Sequence, residues 1–145
     1  MDEACPLPTP ASNDEKSEIE AMLKMHRIAI VGLSDDPSRP SFQIASYLLS
    51  HGKEIVPVNP TTIMVMGLKA YPTLADVPGE IELVNVFRRS EFCADVTKDA
   101  VAKGAKGVWL QAGIHNGEAR RIAQQAGIHY VEGRCIMVEH MRHGL

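Results

Sequence analysis

Long apolar runs are missing from this 145-residue chain: the longest are the length of a β-strand, and none approaches the roughly 20 residues that span a bilayer. A membrane protein is not expected. Clusters of one charge are missing too. The 15 lysines and arginines are scattered among 18 aspartates and glutamates, for a net charge of -3, so the basic stripe of a nucleic-acid binder is absent. The three cysteines, Cys5, Cys93 and Cys135, are too few and too scattered for a disulfide framework or a CxxC metal site. The six histidines are dispersed, and none forms an H-x-x-x-H pair on an expected helix, which leaves metal binding unsupported. The N-terminus carries acidic and small residues where an export signal carries a basic head and an apolar middle, so a reducing cytoplasm fits best.

What is present is ordinary for a globular chain, 45% hydrophobic and 23% charged, at the length of about one domain of roughly 100–200 residues. Pro6, Pro8 and Pro10 between small residues neither pack a core nor continue a helix. A flexible tail is expected over residues 1–13, followed by one domain over 14–145. Ser12 and Glu15 have capping-box spacing, and Ile19, Met22 and Leu23 recur at helical intervals, which predicts an amphipathic helix to about Met25, packed across the sheet.

From Arg27 the pattern alternates between short apolar runs and helical segments. Strands are expected at Ile28 to Val31, Glu54 to Val58, Ile81 to Phe87, Val108 to Gln111 and His129 to Val131. Ile44, Ala45, Leu48 and Leu49 share a helical face that stops at Gly52; Ser90 and Asn116 are the expected caps of two further helices that stop at Gly104 and Gly127. Strand-helix alternation argues for a parallel sheet covered on both faces, the doubly wound α/β arrangement. Pro57 fits poorly inside a central strand, so that strand is expected to be shortened, and residues 60–79 offer only one turn of helix near Thr73 to Asp76.

In such a sheet, ligands sit beyond the strand carboxyl ends. The loop after the first strand runs from Gly32 to Ser41, and Pro40 suits a first helical turn. A helix N-terminus with Ser34, Arg39 and Ser41 nearby suits phosphate. The dinucleotide fingerprint G-x-G-x-x-G fails, because Ser34 and Pro37 replace its second and third glycines, and Val58-Asn59-Pro60 lacks the acid that holds an adenosine ribose. Both features disfavour NAD. The alternative reading is that Gly32 and Pro40 only make the turn and that Arg39 is a solvated surface charge. After the third strand, Phe87, Arg88 and Arg89 bring a ring and two guanidinium groups to the same edge, and two cations at a helix start call for a compensating anion. Gln111 can read a ligand amide, whereas Trp109, Cys93 and Cys135 read as core.

The segments VGLSDDPSRPS, IVPVNP, VNVFRRSE, GAKGVWLQAGI and GRCIMVEH together resemble the single-domain CoA-binding proteins of bacteria and archaea, over about Met25 to His140. That family is similar to the N-terminal, CoA-binding domain of the succinyl-CoA synthetase α subunit. The resemblance implies a Rossmann-like fold of about five strands, with CoA lying across the strand carboxyl ends. It implies Gly32, Ser34, Arg39 and Ser41 near the CoA phosphates, and Val58, Asn59 and Pro60 along the nucleotide. Tyr71, Phe87, Arg88 and Arg89 would border the adenine and pantetheine path, with Gln111 and Gly113 toward the thiol end. Family members commonly carry Asp or Asn where this chain has Gly133, which bears on how Arg134 and Cys135 are held. The expectation is a monomer or homodimer that binds CoA or an acyl-CoA without a catalytic domain of its own. The competing readings are an NAD(P)-binding regulator or oxidoreductase, and a thioester or disulfide enzyme using Cys135.

Overall fold

The computed structural model describes residues 12–144. Strands β1 (Arg27–Val31) and β2 (Glu54–Val58) precede an antiparallel hairpin, β3 (Met64–Val65) and β4 (Leu68–Lys69), and then β5 (Leu83–Val86), β6 (Gly107–Leu110) and β7 (His129–Val131). All but the hairpin form one parallel sheet in the order β2-β1-β5-β6-β7. Helices α1 (Asn13–Leu23), α2 (Pro40–Ser50) and α5 (Ile136–His143) cover one face, and α3 (Cys93–Lys103) and α4 (Gly117–Ala126) cover the other. This is the expected doubly wound, Rossmann-like α/β fold.

Alternation along each strand divides the core in two, because successive side chains point to opposite faces. Ile28 and Ile30 join Met22, Ile44, Leu48, Trp109 and Ile136 on the first face; Ala29 and Val31 join Val84, Val86, Val96, Val108 and Leu110 on the second. With both faces covered, strands β5 and β6 are buried along their whole length, which explains their unbroken apolar runs. Each fully buried Leu, Ile or Val side chain contributes about 1.5–3 kcal/mol.

Local signals set most of the helix ends. Ser12 accepts the Glu15 N–H at 3.1 Å and Asn116 accepts the Ala119 N–H at 2.8 Å, while Gly104 and Gly127 close α3 and α4 in the left-handed conformation. The expected flexible tail needs a new boundary: Ser12 caps α1 and Asn13 is its first residue, while residues 1–11 lie outside the described part. Helix α1 stops at Leu23, short of Met25.

Other expectations are corrected. Ser90 does not cap α3; a single 3-10 turn over Ser90–Phe92 leads into that helix, and the Ser90 hydroxyl accepts the His115 N–H instead. Pro57 lies in an edge strand and leaves β2 at full length. Its carbonyl faces outward, accepting the Tyr71 N–H at 3.0 Å, so its nitrogen faces the same way and no bond to β1 is lost. The β3-β4 hairpin, with Met66 and Gly67 both at positive φ in its two-residue turn, and helix α5 are elements the sequence pattern did not predict.

The topology fixes where a ligand would go. From β1 the chain passes through α2 to β2 on one side, then returns across β1 to β5 on the other, and α3 follows on the opposite face. The two excursions part at the carboxyl ends of β1 and β5, leaving a crevice there.

Candidate functional site

A cleft of ≈ 510 Å³ opens at that crevice. Its walls come from the ends of β1 (Val31, Gly32), β2 (Val58, Asn59, Pro60) and β5 (Phe87, Arg88), from the Pro72–Leu74 turn, and from Val96 and Asp99 of α3. Backbone bonds lock the three strand ends together: the Gly32 N–H donates to Val58 O at 2.9 Å, and the Phe87 N–H donates to Val31 O at 2.8 Å. Gly32 has a φ of +89°, and a Cβ there would stand 2.7 Å from the Phe87 carbonyl oxygen. Only glycine meets both constraints.

Asn59 is a brace. Its Nδ2 donates to Leu33 O at 2.9 Å, while its Oδ1 accepts the Thr61 N–H at 2.8 Å and the Thr61 hydroxyl at 2.7 Å. Where a dinucleotide site places a ribose-binding acid, this chain places an amide already committed to shaping the rim. Arg88 has no such commitment. Its guanidinium lies 4.6 Å from the centre of the Phe92 ring, a cation-π contact that steers the side chain, and among the described residues it forms no salt bridge.

Six of the anticipated site residues, Gly32, Val58, Asn59, Pro60, Phe87 and Arg88, therefore share one cleft. The others stand apart from its walls. Ser34 and Ser41 stitch the loop after β1: Ser41 Oγ accepts the Ser34 N–H at 3.0 Å, and Ser34 Oγ accepts the Asp36 N–H at 3.0 Å. Each hydroxyl keeps its own proton for a further acceptor. Bonds from the Ser38 backbone and hydroxyl, with Arg39 nearby, hold Asp36 below the ordinary carboxylate range. Arg39 is exposed at the start of α2. Tyr71 lies behind the cleft, pairing with the outer edge of β2. Arg89 is 79% exposed and lies 4.0 Å from Glu91. Gln111 is buried, its Oε1 accepting the Ile136 N–H at 3.0 Å and Asn85 Nδ2 at 3.3 Å, so one of its roles is to start α5. Gly113 makes the turn after β6 at a φ of +82°. Thr61, Pro72, Thr73, Val96 and Asp99 line the cleft without having been anticipated; only the fold brings them there.

Along the same edge, toward β7, a polar cluster is centred on Glu132. Its carboxylate accepts the Tyr130 hydroxyl at 2.8 Å and the Asn116 N–H at 3.3 Å, and lies 3.2 Å from His115 Nδ1 and 3.4 Å from Arg120. Burial alone would raise the Glu132 pKa, but these bonds and the Arg120 charge outweigh it and hold the group below the ordinary glutamate value. Burial, and then the bond to Glu132, push the Tyr130 hydroxyl up.

Neither cysteine among the described residues offers an exposed thiol at this edge. Burial raises the Cys93 thiol despite the nearby Arg88 charge, and its Sγ sits 3.5 Å from the Arg89 carbonyl. Cys135 is 4% exposed and disulfide-bonded, which corrects the reading of it as the exposed thiol of a thioester or disulfide enzyme. Nor does Gly133 leave Arg134 unsupported. Position 133 has a φ of +70°, a conformation that Gly, Asn and Asp tolerate best, and the His115 ring fills the space a side chain would take. Glu15 holds Arg134 through bonds of 3.0 and 3.1 Å, and Glu139 through one of 3.4 Å.

The CoA binding domain model matches residues 26–141. The chain is 40% identical over 129 residues to Uncharacterized protein YneT of Bacillus subtilis, covering 88% of this chain and 96% of that one. A solved structure of a hypothetical protein from Pyrococcus horikoshii OT3 superposes with a TM-score of 0.86 at 37% identity, over 94% of this chain and 98% of the other. This chain is also 32% identical over 82 residues to the acetate–CoA ligase [ADP-forming] II subunit alpha of Pyrococcus furiosus, where the match spans 56% of this chain and 18% of that subunit. No helix among the described residues is long and apolar enough to cross a membrane. The chain belongs to the CoA binding domain family and is related to the CoA-binding part of acetate–CoA ligases.

Proposed function

We propose that this protein binds coenzyme A or an acyl-CoA across the carboxyl edge of its sheet. The observation that carries the reading is the cleft at the β1-β5 crossing, pinched by Gly32 against the Phe87 carbonyl and supplied with Arg88, which forms no salt bridge among the described residues. At ≈ 510 Å³ it falls within the roughly 300–1,000 Å³ of small-molecule sites and suits the nucleoside end of CoA better than the whole cofactor. Val58, Pro60 and Phe87 offer apolar surface to the adenine, and the Arg88 fork suits a ribose phosphate. The diphosphate then reaches the loop after β1, where Arg39 and the spare protons of Ser34 and Ser41 stand before the first turn of α2, whose amides lack intrahelical partners.

Calorimetric titration with CoA, dephospho-CoA and NAD tests the assignment. The expected ranking puts CoA first, with dephospho-CoA weaker by the contribution of one phosphate. Equal or tighter binding of NAD contradicts it. Native mass spectrometry of freshly purified protein identifies the acyl group if a thioester is carried.

A further inference from the structure

The loop after β5 faces two ways. Arg88 enters the cleft, while Ser90 holds the loop after β6: its Oγ accepts the His115 N–H at 3.1 Å and its carbonyl accepts Asn116 Nδ2 at 2.7 Å. His115 is thus bonded to the cleft's own arginine loop. Its Nδ1 lies 3.2 Å from Glu132, so with that carboxylate ionised the proton sits on Nδ1 and Nε2 is left as a lone pair. The His115 side chain is 64% exposed, whereas that of Glu132 is 16% exposed. An accessible imidazole oriented through its other nitrogen by a well-anchored carboxylate is the arrangement of a general base.

The sheet edge offers a path between the two places. Beyond β2 the edge is covered by the Tyr71 segment, which exchanges backbone bonds with Pro57 and Asn59. Toward β6 it carries the small residues Ala112 and Gly113, the latter exposed. A flexible arm leaving the cleft therefore has its open course over Gly113 toward His115.

We propose that His115, oriented by Glu132, takes the proton of a thiol at the end of that arm, so that bound CoA is held as its thiolate. This rests on the CoA reading above. The S–H bond breaks, its electron pair stays on sulfur, and the proton moves to Nε2, giving an imidazolium that faces Glu132; no further reactant is needed. Glu132 faces the imidazole from the β7 end and is itself met by Tyr130 and, from α4, by Arg120; Cys93 at the start of α3 and Arg88 in the loop before it lie beyond. In this assignment His115 is the base and Glu132 is a positioning residue.

The test follows alkylation of CoA by iodoacetamide in the presence of excess full-length protein, reading alkylated CoA by mass spectrometry and the thiolate by its ultraviolet absorbance. A free thiol is only a few per cent thiolate near pH 7, so bound CoA is expected to react about tenfold faster than free CoA. His115→Ala abolishes both the acceleration and the absorbance while calorimetry still detects bound CoA. Glu132→Gln leaves CoA bound but loses most of the acceleration, and Glu132→Asp restores part of it, a rescue that a merely structural role would not produce. Bound CoA with neither acceleration nor thiolate absorbance, or with both undiminished in His115→Ala, overturns the inference alone. Absence of CoA binding to the unaltered protein overturns the CoA reading and this inference together.

Discussion

Arg88 and Arg134 are the same side chain put to opposite uses. Arg134 is 6% exposed, and Glu15 from α1 and Glu139 from α5 meet its guanidinium, tying the two ends of the described chain to the sheet. The bonds to Glu15 come first among the influences that raise its already high pKa. Arg88 lies at a sheet edge, half-buried, against an aromatic ring and without a salt bridge among the described residues. A paired, buried cation holds a fold together; a cation left without an anion at the mouth of a cleft is available to a ligand. Stability and binding should therefore separate when each is removed.

The largest effect is expected from Arg134→Met, which removes the cation joining Glu15 to the almost fully buried Glu139, leaves Glu139 only Arg142 and His143 at 3.5 and 3.6 Å among the described residues, and should cost about 3 kcal/mol in urea unfolding. A loss below about 1 kcal/mol would mean that Arg134 is not a structural cation. Gly32→Ala should lower stability by about 1–3 kcal/mol through strain at positive φ and the clash with Phe87 O, and should abolish CoA binding as well. Wild-type affinity in that variant would detach the ligand from the β1-β5 crossing. Arg88→Ala should weaken CoA by about 1.5–3 kcal/mol, roughly tenfold to a hundredfold, with unfolding changed by less than about 0.5 kcal/mol. If stability falls and affinity does not, the contrast with Arg134 is broken.

The smallest effect concerns acid. Burial first, then the Lys53 and His51 charges, lower the pKa of His140, which is buried 2.8 Å from the Tyr47 hydroxyl, below its ordinary 6.5. The unfolded chain takes up that proton at higher pH than the folded one does. The His140 contribution is therefore fully present above pH 6.5 and is lost as pH falls through the lower, folded-state value. Urea midpoints should decline between pH 7 and pH 5, and less so in His140→Gln.

Periodicity and capping residues made the sheet and four of its helices legible, since Ile28 and Ile30, Ile44 and Leu48, and the cap at Asn116 act over a few residues. What stayed hidden depends on distant partners. Pro57 looked misplaced until β2 proved to be an edge strand, and α5 begins where Gln111, from the end of β6, receives the Ile136 N–H. The cleft was half legible: residues following strand ends converge there, but Val96 and Asp99 arrive from a helix that looked only amphipathic. His115 and Glu132 stand 17 positions apart and meet because β6 and β7 are neighbours, a fact no local pattern carries.

Backbone amide NMR during a CoA titration addresses the central claim most directly. Saturable shifts concentrated at Gly32, Asn59, Phe87 and Arg88, extending to the loop from Ser34 to Ser41 and toward Gly113, are the predicted result. Shifts clustered instead around Asp14, Glu18 and Gln124, in a groove separate from that cleft, or no saturable shifts at all, would contradict it.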